Sequence, residues 1–380
     1  MILPIAAELD ESERFPSEIY DQMAELGLFG IGVPAELYER MAGLGLFGIA
    51  VPAELGGAGL DVVSYALVME ELSRGYASVA DQCGLVELIG TLLTRYGTDG
   101  QRERWLRPLL AGKRRCAYAI TEADAGSDVS GIRTTAIRTA TGWRLDGGKL
   151  WIHNAPVCDY AVVLARTDKD AGRRGMSIFI VDVDRPGFSR GPKEHKMGQR
   201  ASPVGALHFD AIELPEEALL GPEGRGFHIM MSVLDKGRVG ISALAIGIAQ
   251  AGMEAAIGYA RQRRQFGRAI ADNQGLQWLL ADMAKDIQAA RLLTWDAAGR
   301  IDRGEPATMA CSMAKCMAGD VAVAQTGNAV QVFGGSGYIK GFEVERLYRD
   351  AKICQIYEGT QQIQRTIIAR ELLKASEASA

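Results

Sequence analysis

Five short segments of the 380-residue chain bring small, polar and aromatic residues together in patterns that favour ligand binding. They are AYAITEADAGSDVSG (117–131), KLWIHNA (149–155), RRQFG (263–267), QVFGGSGY (331–338) and YRDAKICQIYEGTQQIQR (348–365). In the first segment, small residues let the backbone approach a flat ring, while Thr121 and Ser127 offer hydroxyl and N–H groups to a ring edge or a phosphate. A turn that caps a strand explains the same residues equally well.

Glu358 is the carboxylate whose position most favours chemistry. It lies between Tyr357 and Gly359, just before a run with helical periodicity, and a loop carboxylate beside glycine can approach a substrate closely. Desolvation would raise the pKa of such a carboxyl toward neutrality and make it a base for a carbon-bound proton. The alternative is a glutamate that stabilises the N-terminus of the following helix.

The composition excludes several classes of protein. Apolar residues make up 48% and charged residues 23%, which argues against disordered, collagen-like and coiled-coil chains. The net charge of -5, from 42 basic and 47 acidic residues, gives no electrostatic footprint for nucleic acid. No run reaches the ~18 consecutive apolar residues of a membrane span, and the N-terminus lacks the layout of a signal peptide. We therefore expect a cytoplasmic protein without a nucleic-acid or membrane partner.

The sequence shows no signature of a metal site or of the common nucleotide-binding and hydrolase motifs. Its six cysteines are scattered, with no CxxC pair and no paired histidine spacing, so we expect reduced cysteines and no metal. GxGxxG after a strand, GxxxxGK(S/T), HExxH and GxSxG are also absent from the sequence.

Hydrophobic periodicity divides the chain into three parts. Residues 1–115 place apolar residues at three- and four-residue spacing and predict helices. Residues 116–222 alternate apolar and polar positions between turn residues and predict an antiparallel sheet. The helical period returns over 223–380. The prediction is an α+β fold with an N-terminal helical domain, a central antiparallel β domain and a C-terminal helical domain.

An 18-residue segment occurs twice in the N-terminal part. Residues 20–37 recur as residues 38–55, with 14 of 18 positions identical. Two copies are too few for a solenoid, which needs at least ~3 units to bury a continuous core. We expect one copy in the core and the other as a surface helix and loop, a local duplication without a functional role.

The order and spacing of these segments resemble the acyl-CoA dehydrogenase family over essentially the whole chain from Pro4 onward. TEADAGSD and IYEGTQQIQR are highly specific to that family, and KMGQRAS (196–202) and GRGFHIMMSVLDKGR (224–238) add to the match. The resemblance implies that the C-terminal domain is a four-helix bundle and that FAD lies between the β domain and this bundle. It also implies that the usual first helix is missing.

The resemblance further implies which residues bind FAD. Trp151 would pack against the isoalloxazine, although a core position in its strand would explain this residue too. Arg263 would contact the FAD pyrophosphate of a neighbouring subunit, or else stabilise the C-terminus of its own helix. Each cofactor site would then be completed across a dimer interface, within a homotetramer built as a dimer of dimers. The implied FAD-binding residues are Tyr118, Ile120, Thr121, Ser127, Trp151, His153, Arg263, Phe266, Gln274, Gln331, Gly334, Gly335, Thr360 and Gln362.

His153 departs from the family, which normally has Thr or Ser at this position. The hydroxyl expected near flavin N5 is therefore replaced by an imidazole. We expect the imidazole to donate to N5; the alternative is that it turns away and leaves N5 to a backbone group or water.

The implied activity is the FAD-dependent α,β-dehydrogenation of an acyl-CoA thioester to a trans-2-enoyl-CoA. Glu358 would remove the α-proton while the β-hydrogen leaves as hydride to flavin N5. The position at which some relatives carry the base is Gly237 here, which favours Glu358 and a short or straight acyl chain. The implied substrate-binding residues are Ser127, Asp235, Arg238, Tyr357 and Gly359, although an i,i+3 ion pair explains Asp235 and Arg238 equally well.

The expected electron acceptor is an electron-transfer flavoprotein. Two alternatives stay open at this point. One is an oxidase on the same fold, in which oxygen reaches the reduced flavin. The other is a catalytically silent flavoprotein, against which the intact Glu358 argues.

Overall fold

The N-terminal part of the protein is helical. The computed structural model describes residues 42–377. Helix α1 (Val62–Gly75) is capped by Asp61, whose side chain accepts a hydrogen bond from the Ser64 N–H, and α2 (Ala77–Tyr96) ends at Gly97. Three consecutive helical pieces, Asp99–Gln101, Arg102–Leu106 and Arg107–Leu110, then lead to the sheet.

Eight strands form the central sheet. They are β1 (Cys116–Ala119), β2 (Thr135–Thr139), β3 (Gly142–His153), β4 (Tyr160–Arg166), β5 (Met176–Asp182), β6 (Phe188–Arg190), β7 (Val204–Pro215) and β8 (Leu219–Leu220). The order is β6-β7-β3-β2-β4-β5-β8, with β1 beside β4. The sheet is mainly antiparallel as predicted, but β1 runs parallel to β4 and β2 has one parallel pairing with β4. A long crossover separates β1 from β4, which a parallel pairing requires.

The sheet separates two cores. Along β4, Tyr160, Val162 and Leu164 face the core shared with the helices, while Ala161, Val163 and Ala165 face a second core that contains Trp143 and Phe179. This alternation follows from the two-residue period of a strand. One face of the sheet therefore packs directly on the helical layer.

The C-terminal part is helical again. Its elements are α3 (Gly226–Gln262), the small hairpin β9 (Arg264–Gln265) and β10 (Arg268–Ala269), α4 (Gln274–Asp302), α5 (Thr308–Phe333), α6 (Glu343–Lys352) and α7 (Gln361–Glu377). Helix α5 packs against α3, α4 and α7, and α1 packs on α3 from the N-terminal side. The helix–sheet–helix order is therefore confirmed, while the short elements α6 and β1 were not predicted individually.

Helix α3 is long and apolar enough to cross a membrane by length and composition alone. In this fold, 78% of its most apolar window is buried inside the protein. It is therefore a core helix. Of the six cysteines, which are all free, five are buried and Cys316 is partly exposed.

The duplicated segment lies partly inside the described residues. Phe47, Ile49 and Val51, from the second copy, are buried in the main core. This agrees with the expectation for one of the copies, and the first copy lies outside the described residues.

Candidate active site

Glu358 lies in a strained turn between a 3-10 turn (Ile353–Gln355) and α7. Its φ is 54°, in the left-handed region, and Gly359 follows with φ 92°. Its Oε2 is buried and has no hydrogen-bond partner in the described part of the chain. Burial raises the pKa of this carboxyl to about 7, against the opposing effect of the cations Arg238 and Lys315. A carboxyl that is unpaired and titrates near neutrality has the properties of a general base.

Gly237 on α3 leaves the room that Glu358 occupies. A Cβ placed on Gly237 would lie 2.8 Å from Glu358 Oε2 and 3.1 Å from Leu88 Cδ1. A side chain at 237 would therefore collide with the Glu358 carboxyl. The positions 237 and 358 meet at one site, and here only 358 carries a carboxylate.

Two side chains behind the turn bind its carbonyl groups. Gln364 Nε2 donates to the carbonyls of Glu358 (3.1 Å) and Gly359 (3.0 Å), and Lys315 Nζ donates to the Gly359 carbonyl (2.7 Å). Neither Lys315 nor Gln364 was predicted from the sequence to have a role in the site. The contact from Lys315 spans 44 residues of sequence, and no local pattern signals it.

Asp235 and Arg238 form the i,i+3 ion pair that was the alternative interpretation. Arg238 Nη1 donates to Asp235 Oδ1 (2.7 Å), and the Thr308 hydroxyl donates to Asp235 Oδ2 (2.7 Å). Arg238 is buried close enough to lower the pKa of Glu358. A direct role of either residue in substrate binding stays a prediction.

A buried ion pair between Glu122 and Lys149 fixes the segment 121–128. Glu122 Oε1 accepts from Lys149 Nζ (2.8 Å) and from the Thr134 N–H (3.0 Å), and Lys149 also donates to the Ile120 carbonyl (2.8 Å). Elsewhere in the segment, Thr121 is partly exposed and Ser127 is exposed. The loop therefore presents its hydroxyls and small residues outward, as a binding loop would.

Tyr118 lies on β1, the strand just before this loop, and near the Glu358 site. Its hydroxyl donates to the Met230 carbonyl at 3.4 Å. Burial raises the pKa of this phenol well above its usual range, with a further contribution from the Glu358 charge. Tyr118 and Glu358 therefore lie within electrostatic reach of one another.

Trp151 is not a core residue. The pairing of β3 with β7 shifts register between Lys149 and Ile152, and Trp151 takes φ 56° there. The indole is 60% exposed. The alternation expected for this strand is thus interrupted by a bulge, which turns an aromatic face outward.

His153 has protein neighbours at both ring nitrogens. Gln82 Nε2 and Ser202 Oγ each lie 2.8 Å from His153 Nε2, and Asp81 Oδ2 lies 3.5 Å from Nδ1. Burial lowers the pKa of His153, so the ring is neutral near pH 7. To donate to flavin N5, as the sequence led us to expect, the imidazole would have to leave these contacts.

An amide pair sets the roles of the His153 nitrogens. Asn154 Nδ2 donates to the Cys116 carbonyl (3.3 Å) and to Gln82 Oε1 (2.8 Å), which turns the Gln82 amide nitrogen toward the imidazole. We therefore assign Nε2 as the acceptor of the Gln82 amide and place the ring proton on Nδ1, facing Asp81. The Ser202 hydroxyl donates its proton to Asp81 Oδ2 (2.6 Å) and is not a donor to Nε2. Asp81, Gln82 and Ser202 were not found from the sequence.

The residues expected at the pyrophosphate and adenine lie far from Glu358 in the same chain. Arg238 and Arg263 are 25 residues apart along α3, about 37 Å at 1.5 Å per residue. Phe266 is 98% exposed, and a Cβ on Gly334 or Gly335 would meet no atom within 4 Å. The exposed residues of this group are Arg263, Phe266, Gln274, Gln331, Gly334 and Gly335. One chain therefore does not bring the two halves of the expected cofactor site together.

Thr360 and Gln362 lie at the start of α7. The Thr360 hydroxyl accepts a hydrogen bond from the Ile363 N–H (3.3 Å), as an N-cap does, and Gln362 is exposed. Tyr357 has a buried hydroxyl without a hydrogen-bond partner in the described part of the chain. The FAD contacts of Thr360 and Gln362 and the substrate contact of Tyr357 stay predictions.

Comparison with known proteins matches this architecture over the whole chain. The models for the acyl-CoA dehydrogenase N-terminal, middle and C-terminal domains match residues 1–37 and 32–113, residues 117–212, and residues 224–373, respectively. The N-terminal model matches twice because of the duplication: the first match contains the copy at 20–37 and the second contains the copy at 38–55.

Individual relatives cover nearly the full length. An acyl-CoA dehydrogenase of Bacillus subtilis is 47% identical over 98% of this chain and 94% of its own. Subunit CarC of the caffeyl-CoA reductase–Etf complex of Acetobacterium woodii is 42% identical over 97% and 93%. The solved structure of butyryl-CoA dehydrogenase from Megasphaera elsdenii superposes with a TM-score of 0.90, at 38% identity over 97% of this chain and 93% of that one. From its site, its fold and these matches, the chain belongs to the acyl-CoA dehydrogenase family.

Proposed function

We propose that this protein catalyses the α,β-dehydrogenation of an acyl-CoA thioester to a trans-2-enoyl-CoA. The observation that carries the proposal is Glu358, whose buried, unpaired Oε2 lies in a glycine-flanked turn and whose pKa is raised to about 7. Membership of the acyl-CoA dehydrogenase family supports this choice of reaction.

FAD is the cofactor of the family, and the residues present fit it. Trp151 offers an outward-facing indole at the bulge, and a Cβ on Gly126 would meet no atom within 4 Å, so the 121–128 backbone is open to a ligand. Tyr118, Ile120, Thr121 and Ser127 would hold the flavin edge and phosphates together with Trp151. When bound, FAD supplies the acceptor for the β-hydride.

The chain itself performs the proton transfer and activates the substrate. Glu358 Oε2 takes the α-proton, for which its unpaired lone pairs are available. No hydrogen bond from the Glu358 N–H occurs in the described part of the chain, and we assign this group as the donor to the thioester carbonyl. Such a donor stabilises the enolate-like charge that develops as the proton leaves. Ser127, Asp235, Arg238, Tyr357 and Gly359 are proposed to contact the substrate.

The second half of each cofactor site would come from another subunit. Arg263, Phe266, Gln331, Gly334 and Gly335 are exposed, and Arg263 lies about 37 Å along α3 from Arg238, which acts on the Glu358 carboxyl; a shared site explains this separation. Gln274, Thr360 and Gln362 would complete these contacts. The proposal therefore includes a homo-oligomer arranged as a dimer of dimers.

A short acyl group and an electron-transfer flavoprotein are the proposed substrate and partner. The name of the Megasphaera elsdenii structure specifies butyryl-CoA, and that of the Acetobacterium woodii relative specifies an Etf complex. Gly237, which leaves the base at position 358, is consistent with a straight acyl chain.

A panel of acyl-CoA thioesters, assayed anaerobically with a dye acceptor, tests the proposal. We expect turnover with short straight chains and little peroxide when oxygen replaces the dye. Stoichiometric peroxide without an added acceptor would instead establish an oxidase. No flavin reduction by any thioester in the panel would overturn the proposed function.

A further inference from the structure

The turn that carries Glu358 needs external support. A residue other than glycine at φ 54° costs conformational free energy, and such a backbone persists only where its surroundings hold it. Gly359 is equally constrained, because a Cβ there would lie 2.7 Å from Gln364 Nε2.

Among the described residues, the hydrogen bonds that support the turn go to its carbonyl groups. Gln364 bonds the carbonyls of Glu358 and Gly359, and Lys315 bonds the Gly359 carbonyl. Gln361 reinforces this arrangement, since its Oε1 accepts from Lys315 Nζ (3.3 Å) and its Nε2 donates to the Cys316 carbonyl (2.6 Å). With the carbonyls held, the N–H of Glu358 is left for a ligand.

Lys315 differs from the other buried lysines of the described chain. Lys149 pairs directly with Glu122, and Lys236 pairs directly with Glu87. Lys315 is 0% exposed, yet no ion pair joins it to an acidic side chain within the described residues. An ammonium buried without a direct counter-ion is costly, so its retention points to a role in the site.

We propose that Lys315 is a positioning residue for proton transfer: it fixes the Glu358–Gly359 turn through the Gly359 carbonyl, and its charge keeps the Glu358 carboxylate available as the base. Gln364 shares the first of these tasks and not the second. The inference rests on the proposed function in taking Glu358 as the base.

The surrounding charges agree with this assignment. Burial lowers the pKa of Lys315 to about 8, so the ammonium form predominates at pH 7. That positive charge lowers the pKa of Glu358, which would otherwise lie further above neutrality. Several other titratable groups interact electrostatically with Glu358 or Lys315. They are Arg238 on α3, Asp81 on α2, Tyr65 on α1, Tyr118 on β1, Cys316 on α5, and Cys354 and Tyr357 before α7.

Three variants separate the two tasks. Lys315→Met removes both the hydrogen bond and the charge, Gln364→Met removes only hydrogen bonds, and Lys315→Arg keeps the charge. The exposed Lys285→Met, on α4, controls for loss of a lysine elsewhere. Infrared difference spectra between pH values, taken against Glu358→Gln, follow the protonation of the Glu358 carboxyl directly. Stopped-flow flavin reduction gives the rate, and FAD content with circular dichroism reports folding.

We expect the midpoint of Glu358 protonation to rise in Lys315→Met and to stay near the wild-type value in Gln364→Met, Lys315→Arg and Lys285→Met. The rate of flavin reduction should fall by up to about a hundredfold in Lys315→Met and Gln364→Met, since small displacements of a reacting group have effects of that size. If Lys315→Met does not fold, Lys315→Gln, which removes the charge but keeps a hydrogen-bond donor, replaces it in the infrared titration, and Gln364→Met tests the positioning role through the rate.

An unchanged infrared midpoint in Lys315→Met would overturn the charge role. A rate of flavin reduction near wild type in both Lys315→Met and Gln364→Met would overturn the positioning role. The infrared titration needs no turnover, so it also separates failure of this inference from failure of the proposed function.

Discussion

At Glu358, burial and two nearby cations act in opposite directions on one carboxyl. Burial raises its pKa, while Arg238 and Lys315 lower it, and the balance lies at about 7. A base with a pKa near the working pH is ionised often enough to act and basic enough to take a proton from carbon. The balance between burial and these two cations therefore explains why this carboxylate, among 47 acidic residues, is suited to the reaction.

His153 gives a prediction at the same scale. Because its pKa is lowered and its Nε2 accepts from Gln82, His153 should be neutral near pH 7, at the midpoint of the Glu358 titration. His153→Thr should therefore leave the midpoint of flavin reduction against pH unchanged, between about pH 6 and 8 around the reference histidine pKa. It should destabilise the protein by about 1–3 kcal/mol, because a buried Gln82 N–H loses its acceptor.

Stopped-flow reduction and urea denaturation of both proteins test this expectation. A second titration that is present in wild type and missing from His153→Thr would show instead that the imidazole takes part in hydride transfer.

The residues of the site differ in how far sequence could predict them. Glu358 is marked locally, by Tyr357, Gly359 and the helix that follows. Lys315 and Gln82 reach the site across 44 and 71 residues of sequence, and each looks in its own helix like any other polar residue. Trp151 was assigned to the ring from the resemblance, but the bulge that exposes it depends on the pairing of β3 with β7.

At the scale of elements, glycines set how closely α3 approaches α1. A Cβ on Gly240 would lie 2.1 Å from Tyr65 Oη, and one on Gly247 would lie 2.0 Å from Ser73 Oγ. On α3, Gly237 lies beside the Glu358 carboxyl, and Tyr65 on α1 lies within electrostatic reach of the same carboxyl. The helix–helix distance is thus part of the site.

This packing predicts opposite effects for two chemically identical substitutions on α3. Gly240→Ala should destabilise the protein by about 1–3 kcal/mol through overpacking against Tyr65. Gly258→Ala should stabilise it by about 0.5–1 kcal/mol, because a Cβ there meets no atom within 4 Å and alanine favours the helix. Chemical denaturation measures both, and equal effects of the two substitutions would contradict the packing described here.

Long elements were predictable and short ones were not. Helices α3, α4, α5 and α7 show apolar periodicity over many turns, and all four lie in the region 223–380 that was predicted to be helical. Strand β1 has only four residues, and α6 has ten, of which the last five belong to the 348–365 segment that we interpreted as a motif. The parallel pairing of β1 arises from tertiary contacts and leaves no local pattern.

For the whole molecule, we propose that the exposed residues at the C-terminal end of α3 contact the cofactor of another subunit. Arg263→Ala should raise the dissociation constant of FAD by roughly ten- to a hundredfold, because a charge-assisted hydrogen bond contributes about 1.5–3 kcal/mol. Arg300→Ala, another exposed arginine, serves as the control. Flavin fluorescence on dilution, combined with light scattering, measures FAD release against dissociation. A verified monomer that retains stoichiometric FAD would contradict the shared site.

Flavin reduction by butyryl-CoA in wild type and in Glu358→Gln measures whether Glu358 is the base for the α-proton. The amide is nearly isosteric with the carboxylate but cannot accept the proton. We expect unchanged folding and FAD content, and flavin reduction slower by about 10²- to 10⁴-fold. In wild type the rate should fall as pH decreases through about 7, because protonation removes the carboxylate form that acts as the base. A variant rate within about threefold of wild type, well inside that range, would remove Glu358 from this role.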